Sequence, residues 1–248
     1  SVHVPLPVVG KILNPDTETH TLSAGGVNTT ATITENATAG VATTTDATEI
    51  EGPDLTHTVT MTGASATDET YPLPVSDITG SADVDYTATP VFTNGVTYDS
   101  VNDEITVPAG VTTFDVTFPG LGDLIDEDNE TYTVSAGGVD ATGTITDDDT
   151  AGVATITDAT EIEGTDLTHT VTMTGASATD ETYPFTVTYV TATASVECTT
   201  TQVFTNSLTY DSVTDESTVP AGATTFHVNF PGLGAEIDQD NETHPVIA

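Results

Sequence analysis

The residues with the most chemistry to offer are carboxylates. Between residues 39 and 150 they stand in short runs: Glu51, then Asp83 and Asp85, then Asp123 to Glu130 with Glu127 inside it, then Asp147, Asp148 and Asp149. Each run neighbours glycine, proline, asparagine or more acid rather than an apolar stretch, which places it in a loop or at a strand end. Calcium binds about six to eight oxygens drawn from carboxylates and carbonyls. If these loops meet at one end of a fold, the chemistry they offer is a structural calcium site. The other reading of the same residues is a solvated acidic surface.

The rest of the chain sharpens this reading. It holds 39 Asp and Glu against one Lys or Arg, which is Lys11, for a net charge of -38 over 248 residues. Beyond Lys11 no side chain carries a fixed positive charge, so carboxylates must be neutralised by hydrogen-bond donors, solvent cations or bound metal. Such a field repels nucleic acid and anionic membranes, and no nucleic-acid partner is expected. It suits brine or a calcium-rich exterior.

Catalytic arrangements are missing. The six histidines do not fall into a metal or triad spacing. His57 and His169 share the inward register of a strand and read as structural. Cys198 is the single cysteine, so no disulfide within the chain is expected. No glycine-rich phosphate loop precedes a helix. The chain reads as non-enzymatic. Four glycosylation acceptor triplets begin at Asn28, Asn36, Asn129 and Asn241. No stretch is long and apolar enough to span a membrane, and no signal peptide is visible. The location expected is extracellular or at the cell surface.

The elements that must position these loops follow from a repeat. Residues 167–182 copy residues 55–70 without change, and between 39–136 and 151–248, 71 of 98 positions are identical at a constant offset of 112. Residues 23–27 match 135–139 in the same phase. The expected organisation is therefore the C-terminal part of a module (1–38), a complete module (39–150), and a module lacking its last strand (151–248). Within a module the period is two. Leu55, His57, Val59 and Met61 alternate with threonines, and Phe114, Val116 and Phe118 alternate with Asp115 and Thr117. Threonine makes up 57 of the 248 residues, and β-branched side chains favour strands. Turn residues punctuate the pattern at Gly52-Pro53, Asn94-Gly95 and Pro108-Ala109-Gly110. Strands are expected near 40–46, 55–62, 70–77, 87–93, 104–107, 112–118, 130–136 and 140–146, an all-β sandwich.

At this point the chain resembles a family. The order Glu51-Gly52, Asp85-Tyr86-Thr87, Val107-Pro108-Ala109-Gly110, Asp123 to Tyr132, then Thr144 to Asp149 is similar to a Calx-β module, a family that includes repeats of bacterial surface proteins. The resemblance covers 39–150, most of 151–248 and the module tail in 1–38. It implies tandem immunoglobulin-like Greek-key sandwiches with calcium at one end, held by Glu51, Asp85, Asp123, Glu127 and Asp147–Asp149. The last copy departs from the pattern, with Glu197-Cys198, Ala235 and Gln239 where the middle copy has Asp85-Tyr86, Asp123 and Glu127.

Three functions stay open on the sequence. One is an adhesive or stalk element of calcium-stiffened modules strung end to end, with other surface or matrix components as further partners. Another is a filament subunit that binds copies of itself head to tail by donor-strand exchange, with residues 25–38, or a strand just before them, as the donor; the equal alternative is that the next residues of a longer repetitive chain supply the missing strand in cis. The third is a calcium-sensing regulatory module.

Overall fold

Alternating threonine and apolar residues give each strand one wet and one dry face, and the dry faces must be stacked to be buried. The computed structural model describes residues 18–33, 39–189, 199–234 and 246–247. Among them the elements are strands joined by turns and loops, and no helix occurs. They divide into a first unit, Ser1–Gly122 with Asn129–Thr146, and a second, Asp123–Asp128 with Asp147–Ala248.

The strands run as follows. A hairpin comes first, β1 (Glu18–Ala24) and β2 (Val27–Ile33). Then come β3 (Val41–Thr44), β4 (Ala47–Ile50), β5 (Leu55–Met61), β6 (Glu69–Pro72), β7 (Val75–Asp77), β8 (Val91–Phe92), β9 (Thr97–Asp99), β10 (Glu104–Val107) and β11 (Thr113–Phe118). After β12 (Ile125–Asp126), which belongs to the second unit, β13 (Glu130–Ala136) and β14 (Val139–Thr146) complete the first. The second unit continues with β15 (Val153–Ile156), β16 (Leu167–Met173), β17 (Ala176–Ser177), β18 (Glu181–Pro184), β19 (Thr186–Val187), β20 (Val203–Phe204), β21 (Thr209–Asp211), β22 (Glu216–Val219), β23 (Thr225–Phe230) and β24 (Val246–Ile247).

The first unit is a β-sandwich. One sheet has the order β3-β5-β11-β8, the other β4-β14-β13-β7, and β6-β10-β9 forms a third, shorter sheet. Leu55, Val59 and Met61 of β5 and Phe114, Val116 and Phe118 of β11 meet Tyr132, Val134 and Ala136 of β13 and Ala141 and Ile145 of β14 in one core. The outward residues pair through hydroxyls. Thr56 and Thr117 lie 3.0 Å apart through their Oγ1 atoms, and Thr58 Oγ1 donates to Asp115 Oδ1 at 2.9 Å. With fixed cations nearly absent from the sequence, hydroxyl pairs do on this face what ion pairs do elsewhere.

The strand expected at 40–46 ends earlier, because the chain changes sheet. β3 pairs with β5 in one sheet and β4 pairs in parallel with β14 in the other. Between them, Asp46 Oδ1 accepts from Thr142 N at 2.7 Å. The strand expected at 70–77 is two strands, broken at Leu73-Pro74, where Leu73 turns into the core and proline offers no N–H. Of 87–93 only Val91–Phe92 is strand, and β9 was not expected.

The second unit repeats most of this plan, with sheets β15-β16-β23-β20 and β18-β22-β21. Its core gathers Val171, Met173, Phe185, Leu208, Val219, Phe226, Val228 and Phe230. β12 pairs in parallel with β17, and β19 with β24, in which Thr186 faces Ile247 and Val187 faces Val246. One segment breaks the likeness. Residues 159–162 carry the same sequence as β4, Ala-Thr-Glu-Ile, yet form no strand. In the first unit β4 exists by pairing with β14, and the described part of the second unit contains no such strand. Ile162 is accordingly 77% exposed, against 49% for Ile50.

Candidate functional site

In the first unit, Glu51 follows β4 at a turn in which Gly52 takes φ +86°, a conformation open to glycine. Glu51 N donates to Thr146 O at 3.1 Å. The turn lies hard against the 120–122 backbone, since a Cβ on Gly120 would fall 2.2 Å from Pro53 O. This packing holds the half-buried Glu51 beside the half-buried Glu130 at the start of β13, with carboxylate oxygens within 4.8 Å of each other.

Asp83 and Asp85 shape their own loop. Asp83 has φ +64°, and its Oδ1 accepts from Ala88 N at 2.9 Å. Asp85 Oδ2 accepts from Ser81 N at 2.6 Å. Asp77 accepts from the hydroxyl of Tyr86, whose ring stacks on Tyr132 with centroids 4.4 Å apart. Burial, then the Asp77 contact, raises the Tyr86 hydroxyl well above its ordinary pKa.

The second unit brings five of its aspartates together. Asp123 Oδ1 accepts from Ile125 N at 2.7 Å, and Asp147 Oδ1 accepts from Asp149 N at 3.3 Å. Asp148 and Asp149 have carboxylate oxygens within 4.8 Å of each other. Desolvation, and then the charges of Asp148, Asp147, Asp123 and Asp126, raise the Asp149 carboxyl above its ordinary range. Glu127 lies half-buried in the same 123–128 loop. The loop is held in place by β12, whose Asp126 O accepts from Ala178 N at 2.9 Å. Among the described residues the carboxylate groups brought together offer oxygen alone, which matches a hard cation such as calcium rather than zinc or copper.

Of the acceptor asparagines, Asn28 on β2 and Asn129 ahead of β13 are exposed, while Asn36, Asn241 and also Cys198 lie outside the described residues. The histidines are structural in their contacts. His57 is fully buried. Its Nδ1 sits 2.7 Å from Thr45 O and so donates, leaving Nε2 to accept from the Tyr132 hydroxyl at 2.9 Å. Burial holds its pKa below the ordinary value. His169 Nδ1 likewise donates to Thr157 O at 2.9 Å, and His227 Nδ1 lies 3.1 Å from Thr170 Oγ1. The His57–Tyr132 pair has no short-range sequence signal, since its members are 75 residues apart. Among the described residues no helix is long and apolar enough to cross a membrane.

No family model and no curated protein matches the chain. Among solved structures it is similar to CBD12 from CALX1.2, with 17% identity and a TM-score of 0.36 over 78% of this chain and 76% of that one. It is similar to the calcium binding domain CBD12 of CALX1.1, with 17% identity and a TM-score of 0.35 over 80% and 76%. A third likeness is to domains 4–9 of the surface layer protein SbsC, with 17% identity and a TM-score of 0.28 over 94% of this chain and 33% of that one.

Proposed function

We propose that this chain is a structural element outside the cell, a run of repeated β-sandwiches that bears load or adhesion in a stalk or filament and is stiffened by calcium. In this reading copies join end to end, and Asn28 and Asn129 carry glycans on the exposed surface. The observation that carries the calcium part is the crowding of Asp147, Asp148 and Asp149 with Asp123 and Asp126 in the second unit, which raises the Asp149 pKa. A chain with one Lys or Arg in 248 residues has almost no side-chain cation to relieve that crowding, and a bound divalent ion does so directly. Glu51 with Glu130 would hold calcium in the first unit. Asp83 and Asp85 would serve by fixing the neighbouring loop, and Asp123, Glu127 and Asp147–Asp149 would supply the second unit's oxygens. A ligand that binds only the folded state raises its stability by mass action. Calorimetry in chelator and in millimolar calcium, at one ionic strength, tests the reading: two separated melting profiles are expected, and superimposable profiles overturn the calcium role.

A further inference from the structure

A cleft of about 210 Å³ in the first unit is lined from two edge strands and from the loop between β7 and β8. Among the described residues β7 pairs only with β13, and β9 only with β10. Val75 and Asp77 come from β7 and Tyr98 from β9, with Asp103 from the turn that follows β9. The 78–90 loop adds Ala82, Tyr86 and Ala88. The volume is below the roughly 300 Å³ at which pockets for drug-sized ligands begin, so the cleft suits a headgroup of a few heavy atoms.

Its walls combine two phenol rings, two carboxylates and short aliphatic side chains, and each ring is joined to one carboxylate. The Tyr86 hydroxyl donates to Asp77 Oδ1, and the Tyr98 hydroxyl donates to Asp103 Oδ1 at 2.9 Å. Desolvation, and then the hydrogen bond to its carboxylate, raises each hydroxyl above its ordinary pKa, so both stay donors. Asp77 Oδ2 also accepts from Ala82 N at 3.4 Å. The backbone fixes these groups in turn. Asp103 holds φ +53°, and its carbonyl accepts from Leu73 N at 2.7 Å. Tyr86 is fully buried against Tyr132. The walls are therefore set before any ligand arrives, which lowers the cost of binding.

Charge selects the sign of that ligand. The ionised side chains lining the cleft are Asp77 and Asp103, and a net charge of -38 concentrates cations around the chain. A metal ion is a poor match. Calcium takes about six to eight oxygens, and neither Asp77 nor Asp103 belongs to a group of carboxylates close enough to share an ion. A primary ammonium presents three donors, but three of the four carboxylate oxygens here, Asp77 Oδ1 and Oδ2 and Asp103 Oδ1, already accept. A quaternary ammonium needs no acceptor. Its methyl groups pack on aliphatic side chains and rings, and its charge is met by ring faces and nearby carboxylates.

We infer that this cleft binds a quaternary ammonium headgroup of the choline type, with Tyr86 and Tyr98 supplying the rings and Asp77 and Asp103 the countercharge. The second unit serves as an internal control. It keeps the Tyr210–Asp215 pair, hydroxyl to Oδ1 at 2.8 Å, but has Tyr189 and Cys198 at the repeat positions of Asp77 and Tyr86. One ring and one carboxylate of the constellation are thus replaced there, and these two modules offer one site between them. The inference depends neither on calcium nor on how copies join.

The test is calorimetric titration of the full chain, in chelator at one fixed ionic strength, with choline, with trimethyl-lysine amide and with the neutral tert-butyl analogue of choline. Saturation at one choline per chain is expected, with the neutral analogue at least about tenfold weaker. The tighter of choline and trimethyl-lysine amide identifies the source of the headgroup, a free solute or a modified side chain. Tyr98→Leu leaves the net charge unchanged and should weaken choline at least about tenfold. Asp103→Asn, which suits the positive φ there, should weaken it in the same direction. Tyr210→Leu in the second unit should leave it unchanged. The neutral analogue and Asp103→Asn keep the test decisive should Tyr98→Leu melt early. Absence of saturation overturns the inference, and so does equal binding of the neutral analogue. Equal effects of Tyr98→Leu and Tyr210→Leu overturn it too, since they would assign binding to the diffuse acidic field.

Discussion

His57 Nε2 and the Tyr132 hydroxyl are joined by a buried 2.9 Å hydrogen bond that ties β5 of one sheet to β13 of the other. Phe118 meets both rings edge-on, at 6.0 Å from His57 and 5.2 Å from Tyr132. Burial favours the neutral His57 ring, and with Nδ1–H committed to Thr45 O the neutral ring accepts from the Tyr132 hydroxyl at Nε2.

This arrangement sets a pH response. His57 titrates below its ordinary value of 6.5 in the folded unit. Between the folded and unfolded values the unfolded chain binds more protons, so the histidine's contribution is present above pH 6.5 and is lost as the pH falls below it. The melting temperature of the first unit should drop on going from about pH 7.5 to 5.5, and His57→Gln, which has no proton to gain there, should flatten the slope. Equal slopes for the two proteins would rule out His57 as the source.

Gly143 makes room for Tyr132. Gly143→Ala drives a methyl into a ring that His57, Phe118 and Tyr86 already surround, at a cost of about 1–3 kcal/mol. Tyr132→His in the same chain recreates the His20–Ala31 pair and should recover part of that loss. A double-mutant cycle by urea denaturation measures the coupling, and strictly additive losses would contradict it.

Asp149 gives the opposite pH sign to His57. Its folded pKa is raised, by desolvation first and then by Asp148, Asp147, Asp123 and Asp126. The folded unit therefore binds more protons than the unfolded chain, and stability falls as the pH rises through that window. Asp149→Asn should melt higher than the parent in chelator at neutral pH, where it removes repulsion. In millimolar calcium it should melt lower, where it removes a ligand. Calorimetry in both buffers checks the crossing.

The sequence Ala-Thr-Glu-Ile occurs twice, at 47–50 in a strand and at 159–162 outside one. Backbone amide exchange should therefore be at least about tenfold slower at 48–50 than at 160–162 in dilute chain. Comparable protection at the two places would mean that the second segment finds a sheet partner by itself.

That duplicated tetrapeptide also marks where sequence reasoning runs out. Strands 55–61, 113–118, 130–136 and 139–146 are legible because inward and outward residues alternate, and their dry faces form the core. β4 is not legible, since four identical residues take two conformations and a strand from elsewhere decides between them. The acids announce their loops, but not that Asp83 and Asp85 accept from Ala88 and Ser81, because a left-handed φ at Asp83 leaves no periodic trace. Nor does the sequence assign residues 123–128 to the second unit, which depends on the parallel pairing of Asp126 with Ser177.

The threonine faces have one more consequence. A hydroxyl donates and accepts equally well, so when β13 and β14 slide past each other by two residues, threonine still meets threonine: Thr131 faces Thr144 now and would face Thr142 or Thr146 then. Apart from Ser135, whose Oγ donates to Asp140 Oδ1, the wet face thus carries little that fixes alignment. Alignment comes from the Gly137-Gly138 turn and from the single place on β14 where a tyrosine ring finds no methyl opposite it. Were that turn lengthened, what would still keep the two strands from settling two residues out of step is the match of small Gly143 against large Tyr132 along their dry edge.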